Sequence, residues 1–87
     1  MADTLGRRRG RLDIIGDILS LCQKPTQKTH IMYKCNMSFE QAGRYLDFLS
    51  SKNLVRPFYE AGKELYVVSE KGMSFIQMHQ SLIDLLS

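Results

Sequence analysis

The stretch Lys28-Thr29-His30-Ile31-Met32-Tyr33-Lys34-Cys35-Asn36-Met37-Ser38-Phe39-Glu40-Gln41-Ala42-Gly43-Arg44-Tyr45-Leu46 decides the fold. Ile31, Met32 and Cys35 are spaced to face inward from a short helix that runs to about Lys34, with Thr26 placed to cap it. Asn36 tolerates the left-handed backbone that ends many helices, and Met37 can tuck beneath the turn. Ser38-Phe39-Glu40-Gln41 has the form of a capping box, in which the Ser38 hydroxyl satisfies a free N–H of the next helix and Gln41 reaches back to the cap. That helix runs from Phe39 to about Ser51. It turns Phe39 (or Ala42), Leu46 and Leu49 inward with Tyr45 alongside, and Glu40, Gln41, Arg44 and Asp47 outward. Two helices joined by a sharp corner, the second capped and polar on its free face, make a helix-turn-helix.

Outward from this unit the pattern extends both ways. Leu12, Ile15, Ile18, Leu19 and Cys22 recur at helical spacing from Arg11 to about Cys22, ahead of the Lys24-Pro25 break. After Lys52-Asn53 come two runs rich in β-branched and aromatic residues, Leu54 to Tyr59 and Leu65 to Val68, around Glu60-Ala61-Gly62-Lys63. Gly62 supplies the positive φ of a tight hairpin, and Pro57 confines its strand to a sheet edge or a bulge. Ser69 caps a last helix from Glu70 to about Leu86. The expected fold is mainly α with a β-hairpin wing, a winged helix-turn-helix in the order helix-helix-helix-strand-strand-helix. Residues 1–10 read as a flexible basic arm, 11–69 as the winged domain and 70–87 as a dimerisation helix.

The 87 residues suffice for one small domain, and so short a chain buries too little surface to be very stable alone. A second copy is an expected partner. No apolar run is long enough to span a bilayer and the N-terminus lacks a secretory signal, so a cytoplasmic protein is expected. Cys22 and Cys35, with His30 and His79, match no zinc-ligand spacing, and both thiols are expected in the core. No catalytic arrangement of Ser, Cys, His or carboxylates is visible, nor a Gly-rich phosphate loop, so neither an enzyme nor a cofactor or small-molecule substrate is expected. The net charge is +3, and residues 1–11 already hold Asp3 against Arg7, Arg8, Arg9 and Arg11. Within the neutral remainder, residues 24–44 set Lys24, Lys28, Lys34 and Arg44 against Glu40 alone. Cation is therefore concentrated on the arm and on the helix-turn-helix.

Lys28-Thr29-His30-Ile31-Met32-Tyr33, followed by Asn36, Ser38 and Gly43-Arg44-Tyr45-Leu46, resembles the archaeal winged helix-turn-helix family. Within it the chain is most similar to the small crenarchaeal chromatin-type proteins that bind DNA and dimerise through an antiparallel coiled coil. The resemblance covers roughly residues 11–80 and implies double-stranded DNA as ligand and pairing of two chains through the last helix. Here that helix ends at Ser87, short for an extended coiled coil, and the arginine cluster is longer than the family pattern.

Expected DNA contacts are Arg7, Arg8, Arg9 and Arg11 along an adjacent minor groove, and Lys28, Thr29 and Lys34 on phosphates. Ser38, Gln41 and Arg44 lie on the recognition helix, and Lys63 at the wing tip. The simpler readings are that Gln41 serves only the capping box, that Arg44 pairs with Glu40, and that each lysine is solvated. Glu40 and Asp47 would repel phosphate. Tyr33, Phe39, Tyr45 and Phe58 are expected mainly in the core, and His30 and His79 at the surface or its boundary without chemistry. Phe75, Ile76, Met78, Leu82, Ile83 and Leu86, with Leu85 and His79 beside them, form an apolar stripe wide enough for an interface. The expected function is double-stranded DNA binding in the nucleoid, by a transcription regulator or a chromatin-type architectural protein. The alternative is a winged-helix protein adaptor.

Overall fold

The computed structural model describes residues 10–87, and the arm with Arg7, Arg8 and Arg9 lies outside them. Three helices, α1 (Arg11–Leu21), α2 (Lys28–Cys35) and α3 (Phe39–Ser51), precede an antiparallel hairpin of β1 (Val55–Glu60) and β2 (Lys63–Val68). A fourth helix, α4 (Glu70–Leu86), follows, so the element order is the one the sequence predicts. Ile15, Ile18, Leu19 and Cys22 of α1 meet Ile31 and Cys35 of α2 and Leu46 and Leu49 of α3, with Leu54, Val55 and Tyr66 closing the core from the hairpin. Burial of each large aliphatic chain contributes about 1.5–3 kcal/mol, which makes this cluster the main support of the fold.

The inward stripe of α1 begins one turn later than the sequence suggests, and on α3, where the sequence leaves Phe39 or Ala42 open, Ala42 takes the place. On α3 the inward row opens with Ala42, fully buried, while Phe39 is 56% exposed. On α1 it opens with Ile15, and Leu12 stays outside. In both helices the first turn projects beyond the rim of the core, where periodicity alone carries no information about depth.

Thr26 is not the cap of α2. Gln27 holds that position, and Thr26 instead forms a one-residue strand against β2. Its N–H donates to the Tyr66 carbonyl at 3.0 Å and its carbonyl accepts from the Tyr66 N–H at 2.9 Å. The buried Thr26 hydroxyl lies within hydrogen-bonding distance of the Leu21 carbonyl at 2.8 Å and the Lys24 carbonyl at 2.6 Å, joining the end of α1 to the sheet. β2 is thereby flanked on both sides, and β1 is left as the free edge. Pro57, opposite Tyr66, sits on that edge as expected for a residue without an N–H.

The hairpin turns through Ala61 (φ 54°) and Gly62 (φ 76°), a two-residue loop with both residues left-handed. The sequence assigns only Gly62 to such a backbone. Ala61 accepts a cost of about 1–2 kcal/mol because this loop twists with the strands it joins. At the far end of the hairpin the Ser69 hydroxyl accepts from the Gly72 N–H at 3.0 Å and donates to the Asn53 carbonyl at 2.6 Å, starting α4 against the end of α3. A Cβ on Gly72 would overlap the Leu54 carbonyl oxygen and Val68 Cγ2, so only glycine allows this close approach.

Candidate nucleic-acid interface

The corner between α2 and α3 is fixed by local chemistry. Asn36 ends α2 in the left-handed conformation, φ 54° and ψ 56°, and the Met37 N–H donates to the Met32 carbonyl at 3.0 Å. The Ser38 hydroxyl then accepts from the Gln41 N–H at 3.1 Å, and the Ser38 N–H donates to Gln41 Oε1 at 3.1 Å. Both halves of the capping box are closed, so the first turn of α3 is held rigidly at the surface. The box also limits Gln41: one lone pair of its carbonyl oxygen is engaged and the side chain is held back over the cap, which leaves its amide N–H groups as the donors it can offer a ligand.

Arg44 lies on the exposed face of α3 and, among the described residues, makes no hydrogen bond or ion pair, so the pairing with Glu40 is not formed. Arg11, from the start of α1, joins Gln41, Arg44, Tyr45 and Phe48 in lining one shallow cleft of about 330 Å³. The Arg11 guanidinium stands 5.6 Å from the Phe48 ring centroid, and Lys52 Nζ stands 5.8 Å from it. Three predicted contact residues, Arg11, Gln41 and Arg44, are thus brought together, on a concave surface carrying two cations.

Lys28 occupies the opposite flank of α3. Its ammonium lies 3.6 Å from the Phe39 ring centroid, and a Cβ on Gly43 would come within 2.9 Å of it. The missing side chain at Gly43 therefore leaves a lane in which Lys28 crosses from α2 to α3. This lysine is not a freely solvated chain but a charge stationed beside the N-terminus of α3. Ser38, Thr29 and Lys34 are exposed nearby.

Lys63 belongs to a different concavity, a groove of about 750 Å³ between the α1–α2 turn and the wing, where Lys24, Gln27, His30 and Leu65 also lie. In the sequence Lys24 is visible only as part of a run of positive charge, and His30 as a residue without chemistry. Their approach to Lys63 depends on the Thr26 to Tyr66 pairing, a contact between segments 40 residues apart that no local pattern reports.

The expected aromatic core is corrected at two positions: Tyr33 is 85% exposed and Phe39 more than half exposed, whereas Tyr45 and Phe58 are half-buried. On α2 the buried positions are Ile31 and Cys35, one turn apart, and Tyr33 lies roughly 200° round the helix from Ile31. On α4, Phe75, Ile76 and His79 turn toward the chain's own core and α1, while Met78, Leu82, Ile83, Leu85 and Leu86 remain exposed. Both cysteines are buried and form no disulfide, and burial, with Cys35 nearby, pushes the Cys22 thiol up to about 12. Among the described residues no helix is long and apolar enough to cross a membrane, and no group of His, Cys, Asp and Glu could hold a metal ion.

Several known proteins are similar to this chain. The structure resembles that of Sso10a-2, a DNA-binding protein from Sulfolobus solfataricus, with a TM-score of 0.80 and 26% identity, covering 88% of this chain and 81% of that one. A mutant of S. aureus MepR bound to an oligodeoxyribonucleotide shares the fold at TM-score 0.75 and 14% identity, over 86% of this chain and 56% of that one. The transcriptional regulator BldR of Sulfolobus solfataricus does so at TM-score 0.73 and 17% identity, over 84% and 56%. In sequence the chain is 27% identical over 81 residues to the uncharacterized protein MJ0287 of Methanocaldococcus jannaschii, spanning 92% of this chain and 79% of that protein. A winged helix-turn-helix family model matches residues 8–87, and the chain belongs to that family.

Proposed function

We propose that this protein binds double-stranded DNA as a homodimer in the nucleoid, as a transcription regulator or a chromatin-type architectural protein. The observation that carries the reading is the position of Arg44, which has no hydrogen-bond or ion-pair partner among the described residues, on a rigidly capped helix and sharing one cleft with Arg11 and Gln41. In this reading α3 enters the major groove, with Arg44 and the amide of Gln41 facing base edges. Lys28, Thr29 and Lys34 of α2, with Ser38 at the corner, follow one backbone. Lys63 at the wing, beside Lys24 and His30, follows another. Arg7, Arg8 and Arg9 extend along an adjacent groove, and the apolar end of α4 pairs two chains. Similarity to the DNA-binding protein Sso10a-2 supports this reading over a protein adaptor.

Titrating duplex binding against salt tests it. Each neutralised phosphate contributes about 0.9 to the slope of log K against log salt, so a surface with several cationic contacts gives a steep fall. Affinity that is weak at low salt and insensitive to added salt overturns the proposal.

A further inference from the structure

Phe39 is the first residue of α3, is 56% exposed, and has its backbone in the first turn that the Ser38–Gln41 capping box closes. One face of its ring carries the Lys28 ammonium at 3.6 Å, and Gly43 leaves room for that lysine to reach it. Lys28 is the first residue of α2, so the starts of both helices of the helix-turn-helix converge on this ring. A large apolar group held at the start of a recognition helix, with a cation stationed against it, is poorly suited to water. It has no hydrogen-bonding capacity with which to read a polar base edge. The one apolar group that a base pair displays in the major groove is the C5 methyl of thymine.

We propose that Phe39 is a specificity-determining residue that packs against a thymine methyl group, with Lys28 positioning the ring and neutralising the neighbouring phosphate. The inference rests on the reading that α3 enters the major groove, and it adds a preference for T·A pairs at the position facing the first turn of α3. Arg44, one and a half turns further along α3, remains free to face a separate base pair or phosphate.

The test uses the full chain and two alternating duplex polymers, poly(dA-dT) and poly(dA-dU), which differ by the thymine methyl. The wild type is expected to bind poly(dA-dT) more tightly, by about fourfold for each methyl contacted. Phe39→Ala is expected to bind both polymers alike, and Phe39→Leu, which keeps an apolar side chain, to retain part of the preference, with far-UV circular dichroism verifying the fold of each. A wild-type preference below about twofold, or one that survives in Phe39→Ala, overturns the inference while leaving DNA binding intact. Loss of both polymers by a folded Phe39→Ala also overturns it, since the ring would then serve to hold Lys28. If the wild type binds neither polymer, the DNA reading itself fails and this inference with it.

Discussion

His79 Nε2 stands 3.0 Å from Asp13 Oδ1, and this pair fastens the middle of α4 to the first turn of α1. The His79 ring lies parallel to Phe75, centroids 5.9 Å apart, and rests over Gly16, where a Cβ would come within 2.8 Å of its Nδ1. Gly16 is therefore the seat of α4 on α1. Replacing glycine by alanine in a helix ordinarily stabilises by about 1 kcal/mol. Here Gly16→Ala is expected to destabilise by about 1–2 kcal/mol, because the ring must move and give up its bond to Asp13. Urea unfolding checks this through its midpoint, and a raised midpoint would show that the imidazole yields without cost.

Legibility in the sequence followed the range of the interactions. Asn36, Ser38 and Gln41 announce the α2–α3 corner because a left-handed C-cap and a capping box each involve residues within four positions of one another. Arg44 could be placed on the outer face of α3 by period alone. Thr26 could not be placed, since its bridge to Tyr66 spans 40 residues and competes with a plausible local role as a cap. Phe39 and Tyr33 were misassigned because hydrophobicity does not distinguish a buried ring from one held outward, and the signal that marks Phe39 is tertiary: Lys28 lying in the lane left by Gly43. Ala61 follows from the register Glu60 to Lys63, which a loop containing a single glycine does not specify.

Alkaline pH should weaken the fold. Burial pushes the Cys22 thiol from its usual 9.0 up to about 12, with Cys35 adding to the effect. Burial likewise raises the Tyr66 hydroxyl from 10.0 to about 12, with Glu64 the next contributor. In each case the folded chain keeps a proton that the unfolded chain releases. The stability they contribute is complete below pH 9 and declines as pH climbs toward 12. The urea midpoint is expected to fall steadily from pH 9 to 11, and a constant midpoint over that interval would contradict the burial of both groups. At neutral pH, Cys22 is expected to react with Ellman's reagent only as fast as the protein opens.

Arg44 and Gln41 share a cleft but should respond differently to truncation. Arg44→Ala removes an exposed side chain that has no hydrogen-bond or ion-pair partner among the described residues, so thermal stability should stay within about 0.5 kcal/mol while duplex affinity falls by about 1–3 kcal/mol. If the contact is to phosphate, the salt slope drops by about 0.9 as well. Gln41→Ala opens half of the capping box, so its main effect should be a loss of roughly 0.5–1 kcal/mol in stability with a smaller change in affinity. Fluorescence anisotropy with a labelled duplex, alongside thermal melts, separates the two; unchanged affinity in Arg44→Ala would remove it from the interface.

Pairing through α4 makes the last prediction. Met78, Leu82, Ile83, Leu85 and Leu86 project from the far half of the helix, beyond the contacts that Phe75, Ile76 and His79 make within the chain. Sedimentation at micromolar concentration is expected to give twice the chain mass of 10.0 kDa. Leu82→Glu combined with Ile83→Glu should reduce it to a single chain, because two charges placed in an apolar interface cannot be buried unpaired. Both positions are exposed in the isolated chain, so the substitutions should leave its circular dichroism unchanged. Duplex affinity should fall sharply in the same variant, since the dimer holds two copies of α3 on one DNA and the single chain has one. A wild-type mass of one chain would leave the exposed end of α4 unexplained by self-association and would confine DNA binding to a single helix-turn-helix.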